Sequence, residues 1–161
     1  MKAMTLREPR LIEERPLAKA EVEKPTPGPK EILLKIQTCG ICHTDLHIVE
    51  GELPSKKLPV IPGHQIVGIV ESTGKNVTRF EVGNKVGVAW LNSTCGECEF
   101  CLKGKENLCE KARFTGYDVD GGYAEHTIVS QDFAYLIPKG FSDVEAAPLL
   151  CAGVIGFRAL I

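Results

Sequence analysis

The sequence contains no uninterrupted apolar run long enough for a membrane span or a signal peptide. Its first residues, MKAMTLREPRLIEERP, mix charged and apolar side chains throughout. A helix that crosses a bilayer needs about 20 mostly apolar residues, and a secretory leader needs an apolar centre. We therefore expect a protein that stays in the cytoplasm and has no membrane partner.

An excess of charge of one sign is also missing. Lys and Arg number 19 against 21 Asp and Glu, which gives a net charge of −2, and the basic residues form no runs. Proteins that bind nucleic acid or anionic surfaces concentrate basic side chains in a patch. We therefore expect no nucleic-acid partner and a small molecule as the partner.

The sequence further lacks a G-x-G-x-x-G pattern after a strand, the signature of a dinucleotide-binding fold. It has 161 residues, of which 43% are apolar and 25% charged. This balance is typical of one ordinary globular domain. We therefore expect residues 1–161 to form a single domain without its own dinucleotide-binding fold.

Glycine and proline divide most of the chain into short apolar runs. The clearest of these runs are residues 32–36, 65–71, 85–90 and 123–129. Short apolar runs between turn residues indicate strands, so the sequence predicts a mostly β domain with short helices. Residues 21–30 carry three prolines and are expected to form an extended connector.

Helical signals occur near the end of the chain. Ser142 with Glu145 three residues later forms a capping box, which predicts a short helix through Ala147. Pro148 is expected to interrupt that helix. A second helix-compatible stretch covers residues 154–161.

Four of the seven cysteines lie in a polar stretch at about residues 94–110. Their spacing is C-x2-C-x2-C-x7-C, formed by Cys95, Cys98, Cys101 and Cys109. Short spacers let thiolates converge on one tetrahedral ion, and this stretch has too few apolar residues for a core of its own. We therefore expect a closed, structural zinc site that leaves no position for a substrate.

Three other interpretations of these cysteines stay open: two disulfides, an iron–sulfur cluster, or unrelated free thiols. A reducing cytoplasm disfavours disulfides. Ferredoxin-type runs end in C-x3-C-P. Here seven residues separate Cys101 from Cys109, and no proline follows Cys109. Zinc is therefore the preferred interpretation.

Residues 40–47, GICHTDLH, combine a thiol, a hydroxyl, a carboxylate and two imidazoles. In a helix, Thr44 and His47 would share one face beside Cys42, which is the geometry that a short proton path needs. The segment also contains C-x-x-C-H, the motif of c-type haem attachment, and the C-x-x-C of thiol redox proteins. The lack of an export signal and of βαβ units weighs against these two readings.

Two more candidate ligands stand apart in the sequence. His64 precedes an apolar run and would lie at the start of a strand, where it could equally be a satisfied core histidine. Cys151 lies in PLLCAG, where an inert buried thiol is the ordinary expectation. Residue patterns alone join neither of them to Cys42.

Four motifs, GICHTDLH, PGHQIVGIVESTG, CGECEFCLKGKENLC and PLLCAG, occur in this order over most of the chain. With them, the sequence resembles the zinc-dependent medium-chain alcohol dehydrogenases. The resemblance implies a GroES-like, partly open β-barrel catalytic domain with a structural-zinc lobe, and a Rossmann domain that these residues do not include. It also implies that Cys42, His64 and Cys151 bind a second, catalytic zinc, whose fourth position is open to an alcohol oxygen.

The same resemblance implies roles for neighbouring side chains. Thr44 would take the alcohol proton and pass it through the cofactor ribose toward His47, while hydride goes to nicotinamide. Asp45 would orient His64 as a hydrogen-bond partner. His43 would contact the cofactor pyrophosphate.

Three residues qualify the resemblance. Trp90 matches the bulky residue that narrows the pocket in members preferring short primary alcohols, although a core aromatic is nearly as common. Gln65 replaces the Glu of many members, and its amide keeps hydrogen bonding but loses the charge. Cys39 receives no metal role and is expected to be a buried small hydrophobe.

The expected function is NAD- or NADP-dependent oxidation of a small alcohol to an aldehyde or ketone by the full-length, homo-oligomeric enzyme. The isolated chain is expected to show little or no turnover, because no dinucleotide fold would place nicotinamide near the zinc. Two alternatives stay open. One is a non-catalytic zinc-binding or assembly module, and the other is a related polyol dehydrogenase or aldehyde reductase.

Overall fold

A computed structural model describes residues 1–160 and consists mostly of strands joined by short helices. In that range the strands are Lys2–Leu6 (β1), Leu17–Glu21 (β2), Glu31–Gly40 (β3), Gln65–Thr73 (β4), Lys85–Val88 (β5), Leu91–Ser93 (β6), Arg113–Phe114 (β7), His126–Ser130 (β8) and Ala134–Leu136 (β9). The α-helices are His43–Glu50 (α1), Glu99–Leu102 (α2), Asp143–Pro148 (α3) and Val154–Ala159 (α4). None of the helices described is long and apolar enough to cross a membrane.

The main sheet is antiparallel, with the strand order β8-β3-β4-β5-β9. Its two longest strands, β3 and β4, pair with register shifts at Leu33/Leu34 and at Ile36/Thr38. Such bulges bend a strand and increase its twist, so the sheet curls into a half-barrel. The expected mostly β, partly open barrel is confirmed.

The main core follows the two-residue period of the strands. Alternate side chains of β3, β4 and β5 are at most 1% exposed, namely Ile32, Leu34, Ile66, Val70, Val86 and Val88. Successive strand residues point to opposite faces, so each strand presents one apolar row to this core. The sheet therefore has its own hydrophobic support, independent of the cysteine-rich stretch.

A second apolar cluster lies under α1 and holds it to β1 and the following loops. Its buried members are Leu6, Ile48, Val49, Val60 and Tyr117. Cys42 is the N-cap of this helix, with a capping box completed by Asp45, and Gly51 is its C-cap, with a φ of 81°. A side chain at Gly51 would also meet the Pro9 ring at 2.9 Å, so glycine is required at this position.

The predicted strands occur, with shifted ends. The run at 85–90 stops being a strand at Val88, and the run at 123–129 becomes one only at His126. Residues 22–28 have no regular structure, as expected of a proline-rich connector. Sequence runs thus locate the strands but not their boundaries.

The capping box of Ser142 and Glu145 is confirmed, but the prediction that Pro148 interrupts the helix was wrong. Pro148 is the last residue of α3 and keeps helical angles, φ −66° and ψ −21°. A π-helical turn, Leu149–Gly153, then leads directly into α4. In a π turn each carbonyl bonds the amide five residues further on, instead of four. The chain therefore stays helical between α3 and α4.

Candidate metal centres

Three residues far apart in the sequence come together beside the N-terminus of α1. Ligand atoms of Cys42, His64 and Cys151 all lie within 4.8 Å of one another. The Sγ atoms of Cys42 and Cys151 are 3.8 Å apart, and two thiolates on one tetrahedral zinc stand about 3.8 Å apart. The donors and their spacing therefore fit a single zinc ion with a fourth position left open.

Strand pairing and the π turn create this cluster. Gly40 at the end of β3 pairs with Gln65 at the start of β4. Cys42 and His64 lie just beyond these paired residues, so the sheet register brings them together. Cys151 arrives from the middle of the π turn, a feature often found at functional sites.

A buried carboxylate supports the cluster from behind. Asp45, 3% exposed, accepts hydrogen bonds from the amides of Cys42 at 2.8 Å and Gly63 at 3.1 Å. It also contacts His64 Nδ1 at 3.2 Å. Because an ionised carboxylate only accepts, Nδ1 carries the proton and Nε2 is left for a metal. Burial of His64 opposes protonation, but the hydrogen bond and charge of Asp45 raise its pKa overall.

The Cys42 thiol is poised toward the thiolate, the form that binds metals. Partial burial opposes its ionisation, yet hydrogen bonds from the Thr44 amide and hydroxyl lower its pKa overall. Thr44 Oγ1 lies 3.7 Å from Cys42 Sγ. In contrast, burial and the neighbouring Cys42 sulfur raise the pKa of Cys151.

Gln65 and Cys39 lie next to the cluster. Gln65 is 4% exposed, and its side chain partly offsets the burial that raises the pKa of the Cys151 thiol. A Cβ at Gly40 would meet Gln65 Oε1 at 2.2 Å, so glycine makes room for the amide. Cys39 packs against the main core, burial raises the pKa of its thiol to about 12, and it belongs to neither of the two ligand groups found in residues 1–160.

Aromatic rings form a wall on one side of His64. Trp90 meets the His64 ring edge-on, with centroids 4.9 Å apart. It also stacks on Phe114 at 5.0 Å and on Tyr117 at 5.9 Å. Trp90 therefore contacts a candidate metal ligand and also packs against the second apolar cluster. The sequence analysis did not identify its two stacking partners. The signal available in the sequence was the short distance between Phe114 and Tyr117 in a chain with only 6% aromatic residues.

Helix α1 contains Thr44 and His47, as the sequence predicted. Thr44 and His47 occupy positions one turn apart on α1. The rings of His43 and His47 meet edge-on, with centroids 4.6 Å apart. Nδ1 of His47 contacts a carboxylate that sequence reasoning did not single out, that of Glu52.

The other cluster contains the four cysteines of residues 94–110. Three of its Sγ pairs are 3.5–3.9 Å apart: Cys98 with Cys101, Cys95 with Cys109, and Cys95 with Cys101. A disulfide needs about 2.05 Å, so the structure does not support the disulfide interpretation. The distances fit four thiolates around one tetrahedral zinc.

Backbone amides of the same lobe point at its sulfurs. The amide of Cys98 donates to Cys95 Sγ at 3.3 Å, and the amide of Cys95 donates to Cys109 Sγ at 3.5 Å. Hydrogen bonds from the backbone of Glu97 and Cys98 lower the pKa of Cys95 to about 6. These amides favour the thiolate form of the cysteines, which is the form that binds zinc.

A curled β half-barrel that carries a closed cysteine lobe defines the zinc-binding kind of GroES-like domain. The family described as alcohol dehydrogenase GroES-like domain matches residues 28–139. The chain belongs to this family, and the resemblance seen in its motifs is confirmed.

Individual proteins agree with this assignment. A protein of Mycobacterium tuberculosis (strain CDC 1551 / Oshkosh) named probable alcohol dehydrogenase AdhA is 48% identical over all of this chain. A cobalt- and zinc-bound thermostable alcohol dehydrogenase from Pyrobaculum aerophilum superposes on all of the chain with a TM-score of 0.87 and 32% identity. CAD from Helicobacter pylori, complexed with NADP(H), superposes on 99% of it with a TM-score of 0.88 and 30% identity.

The chain spans about half the length of each of these proteins. It covers 48% of the Mycobacterium protein, 49% of the Pyrobaculum chain and 47% of the Helicobacter chain. The similarity therefore concerns the domain that carries the two cysteine-containing clusters.

Proposed function

We propose that this chain is the catalytic-domain portion of a zinc-dependent alcohol dehydrogenase, which oxidises alcohols to aldehydes or ketones with hydride transfer to NAD or NADP. The observation that carries the proposal is the convergence of Cys42, His64 and Cys151 within 4.8 Å. Two thiolates and one imidazole are the ligands of the catalytic zinc in alcohol dehydrogenases, the standard example of this set. Membership of the family supports the same reading.

A zinc ion at these ligands would supply a Lewis acid at an open coordination position. The chain's own residues prepare that position. Asp45 holds His64 by its Nδ1–H, which leaves Nε2 as the ring nitrogen available to a metal ion at this cluster. Trp90 lies against the His64 ring and would narrow the space available to a substrate, which favours small alcohols.

The proton leaves along α1 in this proposal. Thr44 Oγ1 lies beside Cys42 Sγ and accepts the proton of the alcohol. A bound cofactor would supply a ribose hydroxyl between Thr44 and His47, and His47, one turn further along the helix, would accept the proton and release it to solvent. His43 would contact the pyrophosphate of such a cofactor, although a neutral imidazole binds phosphate less firmly than Arg.

The four-cysteine lobe holds a structural zinc in this proposal. Four thiolates fill a tetrahedral site and leave no position for a substrate, so this ion stabilises the fold without taking part in the reaction. Closed thiolate sites need reduced cysteines, which supports a cytoplasmic location.

Residues 1–161 are proposed to act as one catalytic domain within a longer, homo-oligomeric enzyme. Nicotinamide has to be held close to the reacting carbon for hydride transfer, and the fold described here has no doubly wound nucleotide-binding unit. The isolated chain is therefore proposed to show little or no turnover. The choice between NAD and NADP is read at the cofactor ribose by such a unit.

Metal content per chain tests the proposal. Elemental analysis of protein purified without chelator should give about two zinc ions, one for each ligand cluster. Because Cys151 belongs to one cluster only, Cys151→Ser should reduce the content to about one. The control Cys39→Ala removes a thiol outside both clusters and should leave about two.

Two results would contradict the proposal. About one zinc in the unaltered chain, unchanged by Cys151→Ser, would mean that the three-ligand cluster binds no metal. Iron in place of zinc would reject the zinc assignment of the four-cysteine lobe.

A further inference from the structure

His47 has a partner beyond the end of its helix. Nδ1 of His47 lies 2.5 Å from Oε2 of Glu52, and the two side chains are 36% and 59% exposed. The pair sits at the surface, five residues apart in the sequence. Surface ion pairs stabilise a fold little, so the geometry of this pair matters more than its contribution to stability.

The backbone holds Glu52 against the same residue. Gly51 ends α1 in the left-handed conformation, with φ 81°. The chain then folds back, and the amide of Glu52 donates to the carbonyl oxygen of His47 at 3.0 Å. The amide of Leu53 approaches the same carbonyl at 3.4 Å. Glu52 is thus fixed to His47 through its backbone as well as its carboxylate.

The direction of this hydrogen bond decides which ring nitrogen is free. An ionised carboxylate has no proton to donate, so Nδ1 of His47 must carry the hydrogen. A neutral imidazole carries one proton, which leaves Nε2 as an acceptor. A histidine that receives a proton needs such a free nitrogen, as in triads where a carboxylate fixes the tautomer.

We propose that Glu52 is a positioning residue for the proton path, because it holds His47 by Nδ1–H and keeps Nε2 unprotonated and ready to accept. This inference rests on the proposed function, in which His47 passes the proton to solvent. The step is a proton transfer alone. An N–H bond forms at Nε2, the imidazolium faces the carboxylate of Glu52, and one proton then leaves to water.

The tautomer of His47 tests this proposal directly. Long-range ¹H–¹⁵N NMR of the zinc-loaded chain at about pH 8.5, two units above the ordinary imidazole pKa, separates Nδ1–H from Nε2–H forms. The chain has 4 histidines, so the spectrum is simple. His47 should be mainly in the Nδ1–H form, and Glu52→Ala should lower the ratio of Nδ1–H to Nε2–H by about two- to fivefold, as expected for losing an exposed charged partner.

Matched controls lie in the same molecule. Glu50 is on the same helix but bonds the amide of Ile12 at 3.0 Å, so Glu50→Ala should leave the His47 ratio unchanged. His126 meets Glu71 through Nε2 at 2.8 Å and should keep the opposite tautomer in every variant. It therefore provides an internal reference for the assignment.

An unchanged His47 ratio in Glu52→Ala, or a mainly Nε2–H form in the unaltered chain, would overturn the inference. If Glu52→Ala lowers the zinc content, Glu52→Gln supplies the comparison, because it keeps the side-chain length and removes the charge. Its expected shift is smaller and in the same direction. The zinc content of the unaltered chain tests the proposed function separately, so failure of one is distinguishable from failure of the other.

Discussion

Asp45 is a charged side chain in a buried position. It is a carboxylate 3% exposed, and burial of an unpaired charge would be costly. Three donors meet it, from Cys42, Gly63 and His64. The first two are backbone amides, so one side chain fixes the start of α1, the loop before β4 and the ring of a candidate ligand together.

We therefore expect Asp45→Asn to weaken metal binding at the three-ligand cluster. The amide cannot accept from all three donors as a carboxylate does, and it removes the charge that raises the pKa of His64. Loss of such a supporting partner typically costs 10–100-fold in metal affinity, and we expect about that range. Competition with a chromophoric zinc chelator measures the affinity.

Asp120→Asn is the matched control for this substitution. Asp120 also accepts a backbone hydrogen bond, from Ile61 at 3.0 Å, but it does not contact a candidate ligand. The control should leave both zinc affinities unchanged. Equal affinities in Asp45→Asn and the control would show that Asp45 does not support the metal.

At the scale of elements, the lobe of residues 94–110 differs from the rest of the domain. Its helix α2 has no buried residue, and Cys109 is the one buried hydrophobic of the lobe among the residues described. The strands β3 and β4, in contrast, carry most of the main core. We therefore expect the local stability of the lobe to come from the proposed zinc at its four cysteines.

Cys98→Ser should unfold this lobe locally and leave the sheet folded. A serine hydroxyl is a poor substitute for a zinc thiolate, and regions with few buried contacts open independently of the core. Amide hydrogen exchange should accelerate by orders of magnitude at residues 94–110 and change little in β3 and β4. Cys39→Ala, which removes a thiol outside the lobe, should leave exchange in the lobe unchanged. Equal loss of protection in both regions would contradict the expectation.

At the scale of the whole molecule, the stability of the fold rests on the core under the curled sheet. Leu34 on β3 is fully buried, while Ile41 just after the strand is 85% exposed. Both are large aliphatic residues only seven positions apart. Substituting each by alanine therefore separates the effect of burial on stability from the effect of residue type.

Leu34→Ala should lower the free energy of unfolding by about 2–5 kcal/mol, because a cavity remains where the side chain was. Ile41→Ala should change it by no more than about 0.5 kcal/mol, since the side chain is largely in water in either state. Urea unfolding of the zinc-loaded chain, followed by circular dichroism, measures both. Similar losses in the two variants would mean that the core does not determine stability here.

Much of this organisation could be predicted from local patterns. Short apolar runs between glycine and proline located the strands, the cysteine spacing located the four-cysteine cluster, and Ser142 with Glu145 located the start of α3. Each of these depends on residues within a short stretch of chain, where geometry is set by few bonds. The boundaries were less accurate, as at Trp90, because pairing partners decide where a strand ends.

By itself, the sequence determined the strand pattern and the cysteine lobe. Through the family motifs it also pointed to Cys42, His64 and Cys151 as candidate ligands of one zinc ion. Only the tertiary structure decided their convergence, since it depends on the β3–β4 register and on a π turn that no local rule predicted after Pro148. The aromatic stack on Trp90 and the contact of Glu52 with His47 have the same origin. Side chains reach one another through the path of the folded backbone, and that path is set by sheet pairing and helix ends rather than by spacing alone.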